Sequence, residues 1–472
     1  MVVPNLKEAM KRSKEHGIVQ TIHYKIDDNL RGIAKGKHYF IKTYGCQMNE
    51  HDSENIKGLL EELGFIPVDC MEEADFILLN TCAIRENAHN KVFGFLGRIK
   101  NLKEKRPNVI AGICGCMAQE EVVVKEILEK YNYIDLVFGT HNIHHLPKLI
   151  HEILIKQENQ IEVFSKEGDI IENMPFKRDS KYKAWVNIMY GCDKFCTYCI
   201  VPYTRGKQRS RKKEDILTEV QALKENGYKE VTLLGQNVNA YGKDLEEDYY
   251  MEDLLFDVSK TGIERIRFVT SHPWDFTDKM ISIIASCDNI MPYIHLPLQS
   301  GSNTILKQMG RRYTKEEYIT LFHKLKEKIP NVAITTDIIV GFPNETEEDF
   351  EDTLQVVEEC KYDSAFTFIF SPRIGTPASK MEDRIAKEVK EERLQRLNER
   401  INYYSKCANE VYKGKTVKVL IEGISEKDDT KVMGYTETMK LVNVKADKNT
   451  IGTIIPVKIT DVKTWSMDGE AV

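Results

Sequence analysis

The sequence has no long apolar run: nothing in its 472 residues approaches the roughly 18 residues a membrane span needs. Its first 35 residues ("LKEAMKRSKEH", "YKIDDNLRG") are charged throughout and hold no apolar h-region, which argues against a signal peptide. Interspersed acids argue equally against a transit peptide, so the segment reads as a mobile or loosely docked extension. There is no internal repeat and no low-complexity tract. A net charge of −6 gives none of the overall basic excess of many nucleic-acid binders, although a local run can serve instead. These absences lead us to expect a cytoplasmic protein with no membrane partner, and its length, too great for one ordinary core, suggests two to four domains.

Cysteine is what the chain does have. Eleven cysteines is an odd number, and they are unevenly placed. In a long chain without an export signal, such clusters read as metal sites or catalysis before disulfides. "GCDKFCTYCIVPYTRG", Gly191 to Gly206, sets Cys192, Cys196 and Cys199 at the spacing C-x3-C-x2-C. No fourth cysteine follows nearby, and no histidine lies between His151 and His272. A structural zinc site closes with four protein ligands. A 4Fe-4S cluster held by three thiolates keeps one iron open for a bound molecule. The triad therefore reads as a redox cluster built for chemistry.

The surrounding pattern is α/β. From about residue 37 to 150, strand-like runs ("KHYFIKTYG", "ADFILLN", "NVIAGICG", "IDLVFGT") alternate with helical ones, the mark of an open parallel sheet. Charges and a proline between residues 151 and 183 suggest a linker. From Ala184 to about 375, "AWVNIMY", "EVTLLGQ", "RIRFVT", "PYIHLPL", "VAITTDIIVGF" and "SAFTFIFS" supply six βα units, enough for a partial or full TIM-like barrel. The cysteine loop follows the first of them, and barrel active sites gather at C-terminal strand ends. A long charged helix then leads to three β-rich runs ("KTVKVLIEG", "TMKLVNVKA", "GTIIPVKITDV") that suggest a small β-barrel.

Cys46, Cys82 and Cys116 each sit just past one of the first domain's strand candidates. Ligands bind at that edge of open α/β sheets, so the three can converge on one point, or they can be separate core cysteines. Cys114, two residues before Cys116, competes with it, and spacing alone does not decide. Asn49, Asp52 and Asn80 lie near these cysteines in sequence and are candidates to orient hydrogen bonds around sulfur, although Asp52 is also a plausible helix cap. Arg205 to Lys213 ("RGKQRSRKK") holds six basic residues and no acid, a run suited to phosphates or to a solvated turn. The last domain, with ten lysines and nine acids from Val411, is not strongly basic; Tyr412, Tyr435 and Trp465 are its candidates for stacking or for its core.

The C-x3-C-x2-C loop in a barrel resembles the radical S-adenosylmethionine (SAM) superfamily. "TYGCQMNEHDSE", "LNTCAIRENAHNKVFG" and "GICGCMAQ" ahead of it, with a β-barrel behind, resemble the methylthiotransferase family within it. The resemblance implies two 4Fe-4S clusters, one on Cys192, Cys196 and Cys199, the other on Cys46, Cys82 and Cys116 in preference to Cys114. It implies SAM as second cofactor, with Tyr198 near its adenine, Gln236 and Asn237 near its amino group, and Gln299, Ser300 and Gly341 to Pro343 as further contacts; the bland reading of each is a strand-end turn residue. It implies a five-part division: an extension at 1–35, a methylthiotransferase N-terminal domain at 36–154, a linker at 155–177, a radical SAM core at 178–408 and an OB-like, RNA-binding TRAM barrel at 411–472. "GCDKFCTYCIVPYTRGKQRSR", "LLGQNVNAYG", "TSHPWDF", "HLPLQSGSNTILKQMGRRYT" and "TDIIVGFPNETEEDF" resemble the branch that modifies N(6)-dimethylallyladenosine beside the anticodon of tRNA. The other branches act on threonylcarbamoyladenosine in tRNA or on an aspartate of a ribosomal protein. The implied partners are the tRNA anticodon stem-loop and an electron donor such as flavodoxin or ferredoxin, with the sulfur donor left open.

Overall fold

The computed structural model describes residues 1–10, 19–83 and 86–472, and only the backbone of residues 86–90. Ile84 and Arg85 of "LNTCAIRENAHNKVFG" lie outside the described residues. By internal contacts the chain divides into two units at places the sequence does not mark. The first comprises residues 1–179, 189–195 and 199–211, the second 180–188, 196–198 and 212–472.

The first unit holds β1 (Thr21–His23), β2 (His38–Tyr44), β3 (Ile66–Pro67), β4 (Phe76–Thr81), β5 (Ile110–Gly115), β6 (Leu136–Phe138), β7 (Gln160–Glu162) and β8 (Ile170–Glu172). Six of them form a wholly parallel sheet in the order β3-β2-β4-β5-β6-β7. Every residue of β4 is buried, as its unbroken apolar run requires of a strand covered on both faces. Its alternate residues serve the two faces. Phe76 and Leu78 pack with Ile56, Leu59, Leu60 and Leu149 of the helices Gln47–Glu62 and Leu146–Lys156. Ile77 and Leu79 pack with Val92, Leu96, Val124 and Ile127 of the helices Glu86–Lys105 and Glu121–Lys130.

Two expectations fail here. The stretch 155–177 is not a bare linker, because β7 adds a sixth strand to the sheet and β8 pairs in parallel with β1. The described part of the extension is not loosely docked: β1 is paired, Val2 bridges to Glu162, and Ile26 and Ala34 are buried in the core. Main-chain pairing and a few apolar anchors fix both segments, and neither leaves a strong periodic signal in sequence.

In the second unit, β9 (Lys183–Asn187) ends earlier than "AWVNIMY" suggests. After Ile188 the chain enters the first unit, where β10 (Met189–Tyr190) pairs antiparallel with β11 (Arg209–Ser210). The second unit continues with β12 (Glu230–Leu234), β13 (Arg265–Phe268), β14 (Tyr293–His295), β15 (Ala333–Val340) and β16 (Ser364–Ile369). These run parallel in two sets, β13-β12-β9 and β14-β15-β16, and a parallel bridge from Ile266 to Ile290 brings the sets together. The architecture is the partial (β/α)6 barrel.

The C-terminal domain is a closed barrel of β17 (Thr416–Ser425), β18 (Asp428–Thr436), β19 (Leu441–Lys445), β20 (Ile454–Val462) and β21 (Met467–Ala471), ordered β17-β18-β19-β21-β20. β18 and β21 have no counterpart among the three runs seen in sequence. Most of their polar residues are exposed or half-buried, and Val432 and Met467 reach the apolar core. The barrel docks on the entry ends of the β/α strands. Arg265 donates to the carbonyl oxygens of Tyr435 and Lys418, each at 3.0 Å, and Arg267 to those of Glu437 (2.9 Å) and Thr436 (2.8 Å). Buried Glu230 receives Arg267 Nε at 2.9 Å, and Lys183 pairs with Glu422.

Candidate functional site

The parallel register decides where the first three cysteines go. Tyr44 pairs with Thr81 and Thr81 with Gly115, so β2, β4 and β5 end level with one another. Cys46, Cys82 and Cys116 follow those ends and share one sheet edge. Cys46 and Cys82 are within hydrogen-bonding reach, and Cys46 acts electrostatically on Cys116.

Gly115 separates Cys116 from Cys114. In an extended strand the two would share a face. Gly115 instead takes φ 93°, ψ −165°, a conformation left in practice to glycine, and turns the chain after it. Cys114 stays inside the sheet and packs in the core beneath Phe76 and Leu136's cluster, its thiol pushed well above the usual range by burial. Cys116 lies beyond the turn.

Cys46 caps the helix Gln47–Glu62, which begins five residues before Asp52 (52 − 47). Asp52 is therefore not the cap. The Cys46 thiol is held below its usual range by the hydrogen bond from Cys82, against burial, with help from Arg205 and the first helical amides. Asn49 orders the site. Its Oδ1 lies 3.4 Å from Cys46 Sγ and its Nδ2 donates to Asn80 Oδ1 at 3.0 Å. Asn80 Nδ2 returns a bond to the Asn49 carbonyl at 2.8 Å. Both amides are buried, so each bond made here avoids a desolvation penalty.

Asp52 is buried inside its helix and accepts from Arg205 Nη2 at 2.6 Å. Arg205 Nε donates to Cys116 Sγ at 3.1 Å. Burial opposes the guanidinium's charge, but Asp52, Cys116 and Cys46 outweigh it and hold the group protonated. The same forces act on Cys116, whose thiol burial raises and Arg205 lowers.

The arginines of the basic run turn inward, whereas Lys212 is exposed and Lys207 and Lys213 are half-buried. Arg205, Arg209 and Arg211 are all buried. Arg209 donates to the Gly168 carbonyl at 2.6 Å, and Arg211 grips Glu172 through two nitrogens at 2.5 and 2.7 Å. Lys213 pairs with Glu247 at 2.9 Å. Charge counting along a chain cannot see that these arginines have acidic or carbonyl partners far away in sequence.

Cys192 and Cys199 are half-buried in the first unit, and Cys196 is buried in the second. The Cys192 amide donates to the Gly206 carbonyl at 3.2 Å. In the second unit, Thr197 is pinned by its amide to the Met309 carbonyl (2.9 Å) and by its hydroxyl to that of Gln308 (2.8 Å). Tyr198 packs against Ile305, Met309, Phe342 and Phe370. Buried Arg311 reaches Cys196 Sγ at 3.6 Å and the Pro297 carbonyl at 3.0 Å.

The strand-end residues divide by how much of each is already committed. Gln236 is half-buried just past β12. Asn237 spends both polar atoms on protein: Nδ2 on Asp275 at 2.7 Å, Oδ1 on the His272 amide at 3.2 Å. It fixes the turn and has little left for a ligand. Ser300 accepts from the Ser302 amide at 3.2 Å and faces Thr353. Gln299 adopts a left-handed φ of 72° while its main chain is gripped by Asp337 (2.8 Å) and Ile339 (2.9 Å), the kind of enforced strain that collects at working sites. The Gly341 amide donates to Glu345 Oε2 at 2.7 Å.

Sequence reasoning missed several groups. Arg205 and Arg311 each hold a cysteine sulfur. Asn239 and Ser271, buried past β12 and β13, have side-chain polar atoms with no partner among the described residues, as does His141 past β6. Buried unpaired polar atoms of this kind suit a ligand or water. Only position hinted at them, since each follows a strand end.

All eleven cysteines are free thiols. Among the described residues, no three His, Cys, Asp or Glu side chains close on one point as a single metal ion would require. A four-iron cube asks for something else, since each thiolate bonds its own iron. Three thiols on one sheet edge, one held toward thiolate and one facing a guanidinium, fit that donor set.

Three family models match the chain: the uncharacterized protein family UPF0004 over residues 38–139, the radical SAM superfamily over 186–357 and the TRAM domain over 410–472. Among curated proteins, the tRNA-2-methylthio-N(6)-dimethylallyladenosine synthase of Staphylococcus haemolyticus is 56% identical over 467 residues, 99% of this chain and 91% of its own. The enzyme of the same name from Staphylococcus aureus is 55% identical over 470 residues, with the same coverage. Among solved structures, the radical SAM methyltransferase TsrM of Kitasatospora setae, with cobalamin and a [4Fe-4S] cluster bound, superposes with a TM-score of 0.52 at 12% identity, covering 73% of this chain and 77% of that one. That likeness speaks to the fold alone.

Proposed function

The chain belongs to the tRNA-2-methylthio-N(6)-dimethylallyladenosine synthase family, and from that premise we propose that it adds a methylthio group to carbon 2 of N(6)-dimethylallyladenosine at position 37 of tRNA. It is a radical SAM methylthiotransferase that works with two 4Fe-4S clusters and SAM. The observation that carries the reading is the gathering of Cys46, Cys82 and Cys116 at one sheet edge in a chain that also holds the C-x3-C-x2-C loop.

In this reading Cys46, Cys82 and Cys116 hold one cluster and Cys192, Cys196 and Cys199 the other. Carbon 2 of adenine carries an inert C–H bond, and the bound clusters and SAM supply the radical and the methylthio group that replace its hydrogen. The chain's own residues position and shield. Asn49 and Asn80 hold Cys46 in place through paired amides. Arg311 supports Cys196, and Tyr198 covers that loop with an aromatic face turned to apolar side chains. Gln236 and the strained Gln299 are assigned to SAM directly. Asn237 and Ser300 act behind them by fixing the turns. Asn239 and Ser271 offer unpaired polar atoms to SAM or to the nucleoside.

The domain division at 36–154, 178–408 and 411–472 stands as part of this proposal. The C-terminal barrel is assigned to tRNA. Tyr412 packs with the barrel's core and bonds Thr438, whereas Trp465 is exposed and available for stacking. No helix among the described residues is long and apolar enough to cross a membrane, and we place the enzyme in the cytoplasm with a flavodoxin- or ferredoxin-type electron donor.

Mass spectrometry of tRNA nucleosides from source cells lacking this protein tests the reading. Loss of the methylthio nucleoside with accumulation of its dimethylallyl precursor supports it. An unchanged methylthio nucleoside overturns it and turns attention to threonylcarbamoyladenosine or the ribosomal aspartate.

A further inference from the structure

One short stretch of chain serves both cysteine triads. Cys199 closes the C-x3-C-x2-C motif, and Arg205 follows six residues later (205 − 199). Between them Ile200 packs with Ala83 and Cys116. The Gly206 carbonyl receives the Cys192 amide at 3.2 Å. Gly206 takes φ 78°, and a Cβ there would stand 2.6 Å from Glu167, so the turn that carries these contacts has no room to spare. Arg205 itself leaves this stretch for the other triad and bonds Cys116 Sγ at 3.1 Å and Asp52 Oδ2 at 2.6 Å. Its side chain and that of Asp52 are each only 6% exposed.

A lone buried guanidinium is costly, and a buried pair that loses one member is left with an uncompensated charge. The pair is therefore unlike a surface ion pair: each charge is needed to tolerate the other. What distinguishes it from packing is its third member. An N–H donated to a cluster sulfur withdraws electron density from the iron and favours the reduced state, and hydrogen bonds to sulfur are among the main settings of cluster potential. Asp52, on the far side of the guanidinium, pushes the other way.

We infer that Arg205 and Asp52 are positioning residues that fix Cys116 as a ligand and jointly set the reduction potential of the cluster on Cys46, Cys82 and Cys116. The inference rests on the assignment of that cluster under the proposed function. It also makes the loop that bears the SAM-binding triad a structural support of the second cluster.

The test is a redox titration, followed by electron paramagnetic resonance, of the reconstituted full chain. Cys192, Cys196 and Cys199 are replaced by alanine so that only the second cluster titrates. Asp52→Asn leaves the guanidinium uncompensated and raises the potential. Arg205→Gln leaves the carboxylate uncompensated and lowers it. Arg205→Lys, which keeps the charge, stays nearer the parent than Arg205→Gln. Opposite shifts support the inference, because a purely structural pair gives shifts of one sign or none, and either of those overturns it. If Arg205→Gln takes up no iron, Asp52→Asn decides: a raised potential supports the inference, and an unchanged or lowered one overturns it. Loss of iron in all three, with the parent loaded, assigns the pair to folding alone and overturns the claim on potential. A parent that takes up no iron overturns the cluster assignment itself, and the inference with it.

Discussion

The Cβ that Gly115 lacks would stand 2.3 Å from Asn80 Oδ1. It would also meet the Thr81 carbonyl oxygen at 2.5 Å, in a backbone conformation that side chains avoid. Gly115→Ala must then push Asn80 off Asn49 or swing Cys116 off its edge. The expected cost is about 1–3 kcal/mol of stability from the backbone alone. The sharper readout is iron content, which we expect to fall at this triad while Cys114, still inside the sheet, fails to substitute.

Cysteine replacements separate ligands from bystanders. With two four-iron clusters loaded, alanine at Cys46, Cys82 or Cys116 removes about four of about eight irons per chain. Cys114→Ala leaves the iron count unchanged, because Cys114 belongs to the core. Iron and sulfide analysis of each reconstituted variant checks both statements.

Glu345 gives a pH signature. Burial outweighs Arg393 and the Gly341 amide and raises this carboxyl from 4.5 to about 7. A group whose folded pKa is raised binds its proton more tightly when folded. Its contribution is present below the unfolded value and is lost as pH rises through about 7. Stability measured from pH 4.5 to 7 should therefore decline less steeply in Glu345→Gln than in the parent. Parallel curves would contradict the assignment.

The docked C-terminal barrel depends on Glu230. Removing its carboxylate strands Arg267 at 2.9 Å and leaves Arg265, 3.9 Å away, without its compensating charge. Breaking a buried pair in this way costs about 3–5 kcal/mol. We expect Glu230→Ala to show that loss in denaturant titration, with faster amide exchange at β17 and β18, where the two arginines bond the carbonyls of Lys418, Tyr435 and Thr436.

The sequence told most where periodicity is strong. The wholly buried β4, which opens on four apolar residues, and the long helix Lys387–Glu410 match their sequence patterns within two residues. The strand-end placement of Cys46, Cys82 and Cys116 was legible because parallel strands end at a common edge. What stayed hidden was pairwise. Nothing local says that Arg205 finds Asp52, or that Arg211 finds Glu172, so a run that reads as a phosphate contact or a solvated turn hides a buried network. β18 was missed because a barrel strand with one polar face looks like loop. Gly115 decided between Cys114 and Cys116 through a single dihedral that spacing does not encode.

The most direct test of the account is a turnover experiment with the reconstituted enzyme, SAM, a reductant and anticodon stem-loops bearing either dimethylallyladenosine or threonylcarbamoyladenosine. The account predicts a methylthio product from the first loop alone, lost in Cys46→Ala and in Cys196→Ala. Product from the threonylcarbamoyl loop, or product that survives loss of Cys46, would contradict it.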